Sequence, residues 1–440
     1  MSEALPLAMQ HVVAMIVGCV TPAIIVSGAV PGGLSREDQV ILIQSALVIA
    51  ALSTLLQLFP IGGKAKFAIG SGLPIIMGVS FAYVPSMQAI AESYGIAAIM
   101  GAEIVGGIVA VIMGLLVKKI RIFFPPLITG TVVFTIGLSL YPTAINYMAG
   151  GTGNTYEVVV LRKGLTSALV YGSWQNWAVA AFTLIVVMVM SNKGKGICKL
   201  AAILLGMIAG YIVAAVFGMV DLSEVRDAAW FSLPRFMHFG IKFEFSACIA
   251  LALLFAINAI QAIGDLTATT VGGLNREPTD QELQGGIVTY GLTNVLSAFF
   301  GSLPTATYSQ NVGIVTTNKV VNRVVFALAG GFLLLAGLIP KFSAILTTIP
   351  QCVLGGATIT VFSTIAMTGM KLIASETISP RNTTIVGLSA ALGVGISQSS
   401  SALSQFPESI TIIFGKTPVV IATIMAVLLN LILPQENKDQ

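Results

Sequence analysis

Charged residues are scarce in this chain of 440 residues, where Asp, Glu, Lys and Arg together make up 9%. A soluble globular domain carries about 25% of these residues, so water does not surround most of this chain. Hydrophobic residues make up 56% and recur in runs long enough to cross a bilayer. The composition therefore predicts a polytopic membrane protein whose solvent is the lipid bilayer.

Metal-binding side chains are also few. The chain has two histidines, and its four cysteines, Cys19, Cys198, Cys248 and Cys352, stand singly without a CxxC pair. Zinc sites and disulfide frameworks need clustered ligands, so we expect neither, and we interpret the cysteines as small core residues. The sequence has no HExxH motif and no paired-Asp motif, which disfavours a membrane enzyme. We expect no metal, no cofactor, no catalytic residue and no nucleic-acid partner.

Apolar runs of about 18 or more residues, including runs interrupted by Gly or Pro, predict fourteen membrane helices. The first run lacks a preceding basic segment, so we interpret it as a retained helix rather than a signal peptide. The predicted helices lie near residues 8–30, 39–59, 67–90, 95–117, 123–147, 174–191, 199–220, 246–269, 284–301, 303–318, 322–343, 348–371, 382–399 and 416–433.

Two of these runs are broken in the same way. Residues 70–74 read GSGLP and residues 301–304 read GSLP. Each proline removes an amide donor and clashes with the preceding turn, while the β-branched and aromatic residues that follow suit an extended backbone. Unwound backbone at membrane depth requires polar partners, and paired broken helices mark the binding site of a transporter.

The spacing of these motifs indicates an internal repeat. The interval from Pro74 to Ser80 equals the interval from Pro304 to Gln310, and a proline followed five positions later by glycine opens both the fifth and the twelfth predicted helix. Halves with an odd number of helices must run in opposite orientations, so we predict two inverted seven-helix repeats with short strands in helices 3 and 10. The first repeat covers residues 8–220 and the second covers 246–434.

Basic residues predict the orientation. If the amino terminus is cytoplasmic, more basic residues fall in inside loops than in outside loops, which the positive-inside rule favours. We therefore expect a multi-pass protein of the plasma (cell inner) membrane with both termini in the cytoplasm. The inside residues are Lys64, Lys66, Lys118, Lys119, Arg121, Lys193, Lys195, Lys199, Arg276, Lys319, Arg323, Lys371 and Arg381. The outside residues are Arg36, Arg162, Lys163, Arg226, Arg235, Lys242, Lys341 and Lys416.

Ionisable residues within predicted spans are candidates for function, because a charge in the membrane is costly. Asp265 is four residues after Gln261, so one helix face carries an amide and a carboxylate. The alternative is that Asp265 bonds local threonine hydroxyls or backbone near the cytoplasmic end of the helix. Glu103 lies among small residues, and its side chain either forms an interhelical hydrogen bond or is a proton-linked group. His11 is either a structural hydrogen-bonding residue or a titrating group.

The second broken run ends in a recognisable motif, since residues 310–319 read QNVGIVTTNK. This resembles the signature of the nucleobase/ascorbate transporter family: Gln, Glu or Pro, then Asn, any residue, Gly, four residues, Thr, and a basic residue or Gly. Gln310, Asn311, Gly313 and Lys319 match the signature, whereas Asn318 stands at the position of its Thr.

Three further motifs resemble landmarks of that family in the same order. They are Gln10-His11 in the first helix, Ser80-Phe81 in the third, and residues 264–269, which read GDLTAT. The resemblance covers essentially the whole chain. It implies a core domain of helices 1–4 and 8–11, a gate domain of helices 5–7 and 12–14, and a substrate between the strands of helices 3 and 10.

The resemblance also implies a set of site residues. A Gln at position 310 goes with oxidised purines such as xanthine and uric acid, and an amide offers the donor and acceptor that match their alternating C=O and N–H edge. The implied substrate-binding residues are Ser80, Phe81, Gln261, Ser309, Gln310 and Asn311. The candidates for ion coupling are Asp265, Glu103 and His11.

Two positions depart from the family. Gln261 stands where purine-transporting members usually have a Glu, and Tyr290 stands where many have an Asp. Both changes remove negative charge and leave Asp265 as the main candidate for a coupling carboxylate. An amide at position 261 also tolerates an anionic ligand such as urate better than a carboxylate would, because like charges repel in a low-dielectric pocket.

The sequence thus predicts a secondary active transporter that takes up xanthine and/or uric acid by alternating access. We expect a proton as the coupling ion, with sodium as the alternative, and a homodimer. One alternative function is a permease for uracil or another nucleobase within the same family. Another is an anion exchanger of the related seven-plus-seven fold, in which half-helix amino termini bind the anion and no amide at 310 is needed.

Overall fold

The computed structural model describes residues 4–62, 68–117, 125–151, 157–161, 165–169, 171–407 and 410–434. Its helices are α1 (Ala4–Ala29), α2 (Arg36–Leu58), α3 (Val84–Tyr94), α4 (Ile96–Leu115), α5 (Pro126–Met148), α6 (Trp174–Lys193), α7 (Ile197–Leu200), α8 (Ala202–Val216), α9 (Ser223–Asp227), α10 (Phe245–Thr269), α11 (Asp280–Phe299), α12 (Ser309–Asn318), α13 (Arg323–Gly337), α14 (Pro340–Thr347), α15 (Gln351–Ala374), α16 (Pro380–Gln398) and α17 (Pro418–Ile432). The strands are β1 (Met77–Val79), β2 (Glu157–Leu161), β3 (Leu165–Leu169) and β4 (Thr305–Thr307). Among the basic loop residues, Lys64, Lys66, Lys118, Lys119, Arg121, Arg162 and Lys163 lie outside the described residues.

Seven of the described helices are long and apolar enough to cross a membrane, and α13 with α14, bent by 79°, supplies an eighth span if the pair is counted as one. The predicted multi-span helical fold is confirmed, whereas the number of fourteen spans stays a prediction. The predicted helix at 322–343 is not continuous, because Pro340 cannot continue the hydrogen-bonding of α13. The helices α8 and α17 are apolar but shorter than 18 residues.

The two broken runs form short strands, as predicted. Strand β1 pairs with β4 in antiparallel register, with Met77 opposite Thr307 and Val79 opposite Thr305. Gly70 and Gly301 precede the strands with φ angles of 109° and 65°, a region that other residues seldom adopt. A half-helix follows each strand, α3 after β1 and α12 directly after β4. Both breaks therefore meet at one place inside the bundle.

Long helices from the first half of the chain pack against long helices from the second half. Helix α5 packs against α15, while α4 packs against α11 and α2 packs against α13. A Cβ atom at Gly291 of α11 would lie 2.5 Å from the carbonyl oxygen of Gly107 of α4, and the reciprocal Cβ at Gly107 would lie 2.8 Å from the Gly291 carbonyl. These glycines let the two helix backbones approach closely, as small residues do in membrane bundles.

The cysteine environments differ from one another. Cys19 and Cys352 are buried as expected for small core residues, Cys248 is partly exposed, and Cys198 is exposed. The interpretation of all four as core thiols is therefore wrong for Cys198, which lies in the short helix α7 rather than in a packed span.

Candidate functional site

A cavity of about 1020 Å³ lies beside the paired strands. Its walls come from β1 and the turn after it, from α10, from the start of α12, from the amino end of α5 and from the last turns of α15. Six of the predicted site residues line this cavity: Ser80, Phe81, Gln261, Asp265, Ser309 and Gln310. The broken helices and α10 therefore bring most of the predicted set together.

Two amide side chains, Gln261 and Gln310, line the cavity. Gln310 is the second residue of α12 and is exposed to the cavity, while Gln261 on α10 is partly exposed. Within the part of the chain that the structure describes, neither amide forms a hydrogen bond to another residue. Each amide can thus offer both a donor and an acceptor to a bound molecule.

Asp265 connects α10 to the second broken helix. Its Oδ2 atom accepts a hydrogen bond of 2.5 Å from Thr307 of β4, and its Oδ1 atom accepts one of 2.8 Å from Ser309 of α12. Among the described residues, the carboxylate accepts no hydrogen bond from a neighbouring threonine of α10. The hydroxyl of Thr269 donates to the backbone carbonyl of Asp265 instead. The hydroxyl of Thr267 is buried without a partner among the described residues. The carboxylate therefore fixes the site residue Ser309 and still faces the cavity.

Phe81 and Ser80 belong to the turn that follows β1. The Ser80 side chain accepts a hydrogen bond from the Ala82 amide at 3.2 Å, which caps the turn of residues 81–83. The Phe81 ring meets the Phe362 ring of α15 edge to face, with centroids 5.2 Å apart. This contact joins the turn to α15, whose last turns also line the cavity.

Tyr308, which the sequence reasoning did not single out, holds the two strands in place. Its hydroxyl donates a hydrogen bond of 2.6 Å to the Val79 carbonyl. Its ring occupies a slot between Gly18 of α1 and Gly78 of β1, where a Cβ atom would lie 2.6 Å and 2.5 Å from the ring. A glycine within a strand marks such a close approach, so Gly78 was the available signal.

Asn311 and His11 contact each other behind the cavity. The Asn311 Nδ2 atom lies 3.0 Å from His11 Nδ1 and donates to the His11 carbonyl at 3.1 Å. Both side chains are buried, and the His11 ring packs against Phe326 with centroids 4.6 Å apart. Neither residue is part of the cavity lining, so this geometry gives them a supporting position between α1 and α12.

Glu103 and Tyr290 also lie away from the cavity lining. Glu103 is fully buried on α4. Tyr290 is fully buried on α11, where its hydroxyl is hydrogen-bonded to the hydroxyl of Tyr83.

The chain is similar in sequence to known transport proteins. The sequence model of the Permease family matches its residues 2–401. The chain is 33% identical over 426 residues to Uric acid permease PucK of Bacillus subtilis (strain 168), covering 96% of this chain and 94% of that protein. It is 31% identical over 453 residues to Xanthine permease XanQ of Escherichia coli (strain K12), covering 99% and 93%.

Solved structures share the fold at low sequence identity. The transmembrane domain of the cyanobacterial bicarbonate transporter BicA superimposes with a TM-score of 0.62 at 17% identity, covering 97% of this chain and 98% of that chain. The murine anion transporter Slc26a9 in its inward-facing state gives a TM-score of 0.59 at 9% identity, covering 97% and 68%. At these identities the likeness concerns the fold alone.

Proposed function

The chain belongs to the Permease family, and from that membership we propose that it is a secondary active transporter that takes up oxidised purine bases, xanthine and/or uric acid. Relatives that align over nearly its whole length are named as uric acid and xanthine permeases. A nucleobase is thus the substrate class that these names support for this chain. The choice among nucleobases rests on the side chains of the cavity.

The observation that carries the proposal is the pair of amides, Gln261 and Gln310, in one cavity with Phe81, neither of them hydrogen-bonded to a described residue. An oxidised purine is planar and presents alternating C=O and N–H groups along its edge, which two amides can match with donors and acceptors. The aromatic ring of Phe81 can cover an apolar face of such a base. Binding pockets for small molecules combine these two elements.

The position of the cavities supports alternating access. The large cavity is lined by Pro125 at the amino end of α5 and by Lys371 in the last turn of α15. A second cavity of about 170 Å³ is lined by residues at the opposite ends of the same two helices, Gly150 and Gln351. Beside it, the Arg36 guanidinium donates a hydrogen bond of 3.0 Å to the Thr347 carbonyl. We infer that the larger cavity is the open access route and that the smaller one marks the closed route.

The family resemblance implies that the helices divide into two domains. We propose that α1–α4 and α10–α13 form a core that carries the substrate, and that α5, α6, α8 and α15–α17 form a gate. Asp265 is the proposed coupling group, because it lies in the cavity wall and bonds the segment that presents Gln310. A proton is the proposed coupling ion. We further propose a homodimer in the cell membrane with both termini in the cytoplasm.

Uptake measurements test the proposal directly. Cells or proteoliposomes that contain the protein should accumulate labelled xanthine or labelled urate, and unlabelled oxidised purines should compete better than uracil or bicarbonate. A proton ionophore should reduce the accumulation, and an imposed pH gradient should drive it more strongly than a sodium gradient. Competition by uracil alone would assign another nucleobase, and inhibition by bicarbonate without any effect of purines would assign an anion exchanger.

A further inference from the structure

A second polar cluster lies behind the cavity wall, around Glu103 of α4. The carboxyl group is fully buried, and neither oxygen has a well-formed hydrogen bond to any described residue. The Ser297 hydroxyl of α11 is close enough to act on it as a hydrogen-bonding group. A buried carboxyl group without a well-formed hydrogen bond requires a partner that neutralises its charge.

Two tyrosines connect this carboxyl to the cavity wall. Tyr83 and Tyr290 are fully buried, share a hydrogen bond between their hydroxyls, and both lie within electrostatic range of Glu103. Asn258 of α10 faces Tyr83, and its buried Oδ1 atom likewise lacks a well-formed hydrogen bond among the described residues. Tyr83 ends the turn in which Phe81 lines the cavity. Tyr83 therefore directly follows a residue of the cavity wall, Ala82.

No basic side chain neutralises Glu103 from the helices around it. Helices α4, α10 and α11 and residues 81–94 contain no Lys, Arg or His. The backbone of Lys242 bonds Ala97 at the start of α4, but its ammonium group pairs with Glu244 at 2.7 Å. An ionised carboxylate in this position would be an uncompensated buried charge, which is strongly disfavoured.

The remaining carboxyl groups on these helices are also accounted for. Asp265 is bonded by Thr307 and Ser309, Glu92 of α3 pairs with Lys416 at 2.9 Å, and Asp280 and Glu282 lie in the first turn of α11. A proton on Glu103 would remove the uncompensated buried charge and would give this cluster one more hydrogen-bond donor.

We propose that Glu103 is a second proton-binding carboxyl group, distinct from Asp265, and that its protonation favours the substrate-binding shape of the cavity through Tyr83. When protonated, the carboxyl donates a hydrogen bond into the cluster of Tyr83, Tyr290 and Asn258, which holds the turn that bears Phe81. When the proton leaves, the same carboxyl becomes an acceptor only, and the hydroxyl pair must reorient. Only this link to the cavity rests on the proposed function.

Infrared difference spectroscopy on the purified full-length protein in lipid tests the protonation itself. The wild-type protein should show the C=O band of a protonated carboxylic acid at neutral pH, with a shift in D₂O, and Glu103→Gln should remove that band. Glu277→Gln, which changes an exposed carboxyl group, should leave it in place. Tyr290→Phe keeps the carboxyl but should move the band, which provides a second variant if Glu103→Gln does not fold. A carboxylic-acid spectrum that is identical in wild type and Glu103→Gln, or a band that appears only after sodium is removed, overturns the proposal.

Binding of labelled xanthine against pH tests the coupling. Coupled sites usually change each other's affinity roughly 5–150-fold, so wild-type affinity should fall by an amount in that range as the pH rises. Glu103→Gln, which resembles the protonated form, should bind as well as wild type at low pH and lose a substantial part of this fall. Asp265→Asn serves as the comparison, since its affinity for xanthine should still fall with rising pH by the amount that Glu103 contributes. An unchanged pH profile in Glu103→Gln overturns the coupling. If wild-type protein binds no purine at all, the proposed function fails and the infrared result alone decides the state of Glu103.

Discussion

Replacing Gln310 with Glu changes the chemistry of the cavity while leaving the protein contacts intact. The Gln310 side chain faces the cavity and bonds no described residue, so the substitution breaks no internal hydrogen bond. It also places a carboxylate in the first turn of α12. A negative charge at a helix amino terminus is stabilising by about 0.3–1 kcal/mol, so the variant should fold and insert normally.

The expected effect on binding follows from the lost donor. A ligand carbonyl that loses its amide partner and faces an acceptor instead is left unsatisfied, which costs about 1–3 kcal/mol. This corresponds to roughly 5–150-fold weaker binding. An anionic base such as urate should lose more affinity than neutral xanthine, because the new carboxylate repels it.

Competition assays measure this difference. Inhibition constants of xanthine, urate, hypoxanthine and uracil against labelled xanthine should be compared between wild type and Gln310→Glu at equal amounts of protein in the membrane. Gln398→Glu makes the same chemical change at the exposed end of α16, outside the cavity lining, and should keep the wild-type profile. If Gln310→Glu transports with the original affinity and an unchanged competition profile, Gln310 does not contact the base.

Three further substitutions have defined outcomes. Phe81→Ala should raise the half-saturating concentration about 2–10-fold at normal expression, because it removes an aromatic contact of about 0.5–1.5 kcal/mol; a variant that is merely missing from the membrane would favour a packing role. Asp265→Asn should abolish concentrative uptake but leave counterflow exchange measurable, and accumulation as steep as in wild type would make this carboxylate structural. Gly78→Ala should lower the melting temperature, since its Cβ would lie 2.5 Å from the Tyr308 ring and such overpacking costs about 1–3 kcal/mol; Gly331→Ala, with nothing within 4 Å, should not.

Local conformation was predictable from the sequence where proline and glycine control the backbone. Pro74 and Pro304 interrupt apolar runs, and the chain after each of them is extended as expected. The extended backbone depends on short-range sequence patterns, which a single chain displays. The gathering of Gln261, Asp265 and Gln310 in one cavity was instead implied by the family resemblance.

Contacts between distant side chains were not predictable in the same way. Asn311 was expected to bind substrate, yet it contacts His11, and Asp265 bonds Thr307 and Ser309 rather than its neighbours. Nothing in the spacing of these residues specifies which hydroxyl or amide lies across the helix interface. Helix packing decides it, and the role of Asn311 in binding stays a prediction.

The pairing of β1 with β4 has a consequence for the synthesis of the protein. The partner of Val79 is Thr305, so the first strand is made long before the residues that complete its hydrogen bonds. At about 5–20 residues per second, translation of the intervening chain takes roughly 10–45 s. During that time the backbone of β1 cannot remain in contact with lipid, where each unsatisfied group costs several kcal/mol. Residues 68–94 must therefore be kept away from lipid, by the insertion machinery or by the helices already made, until the second half of the chain arrives.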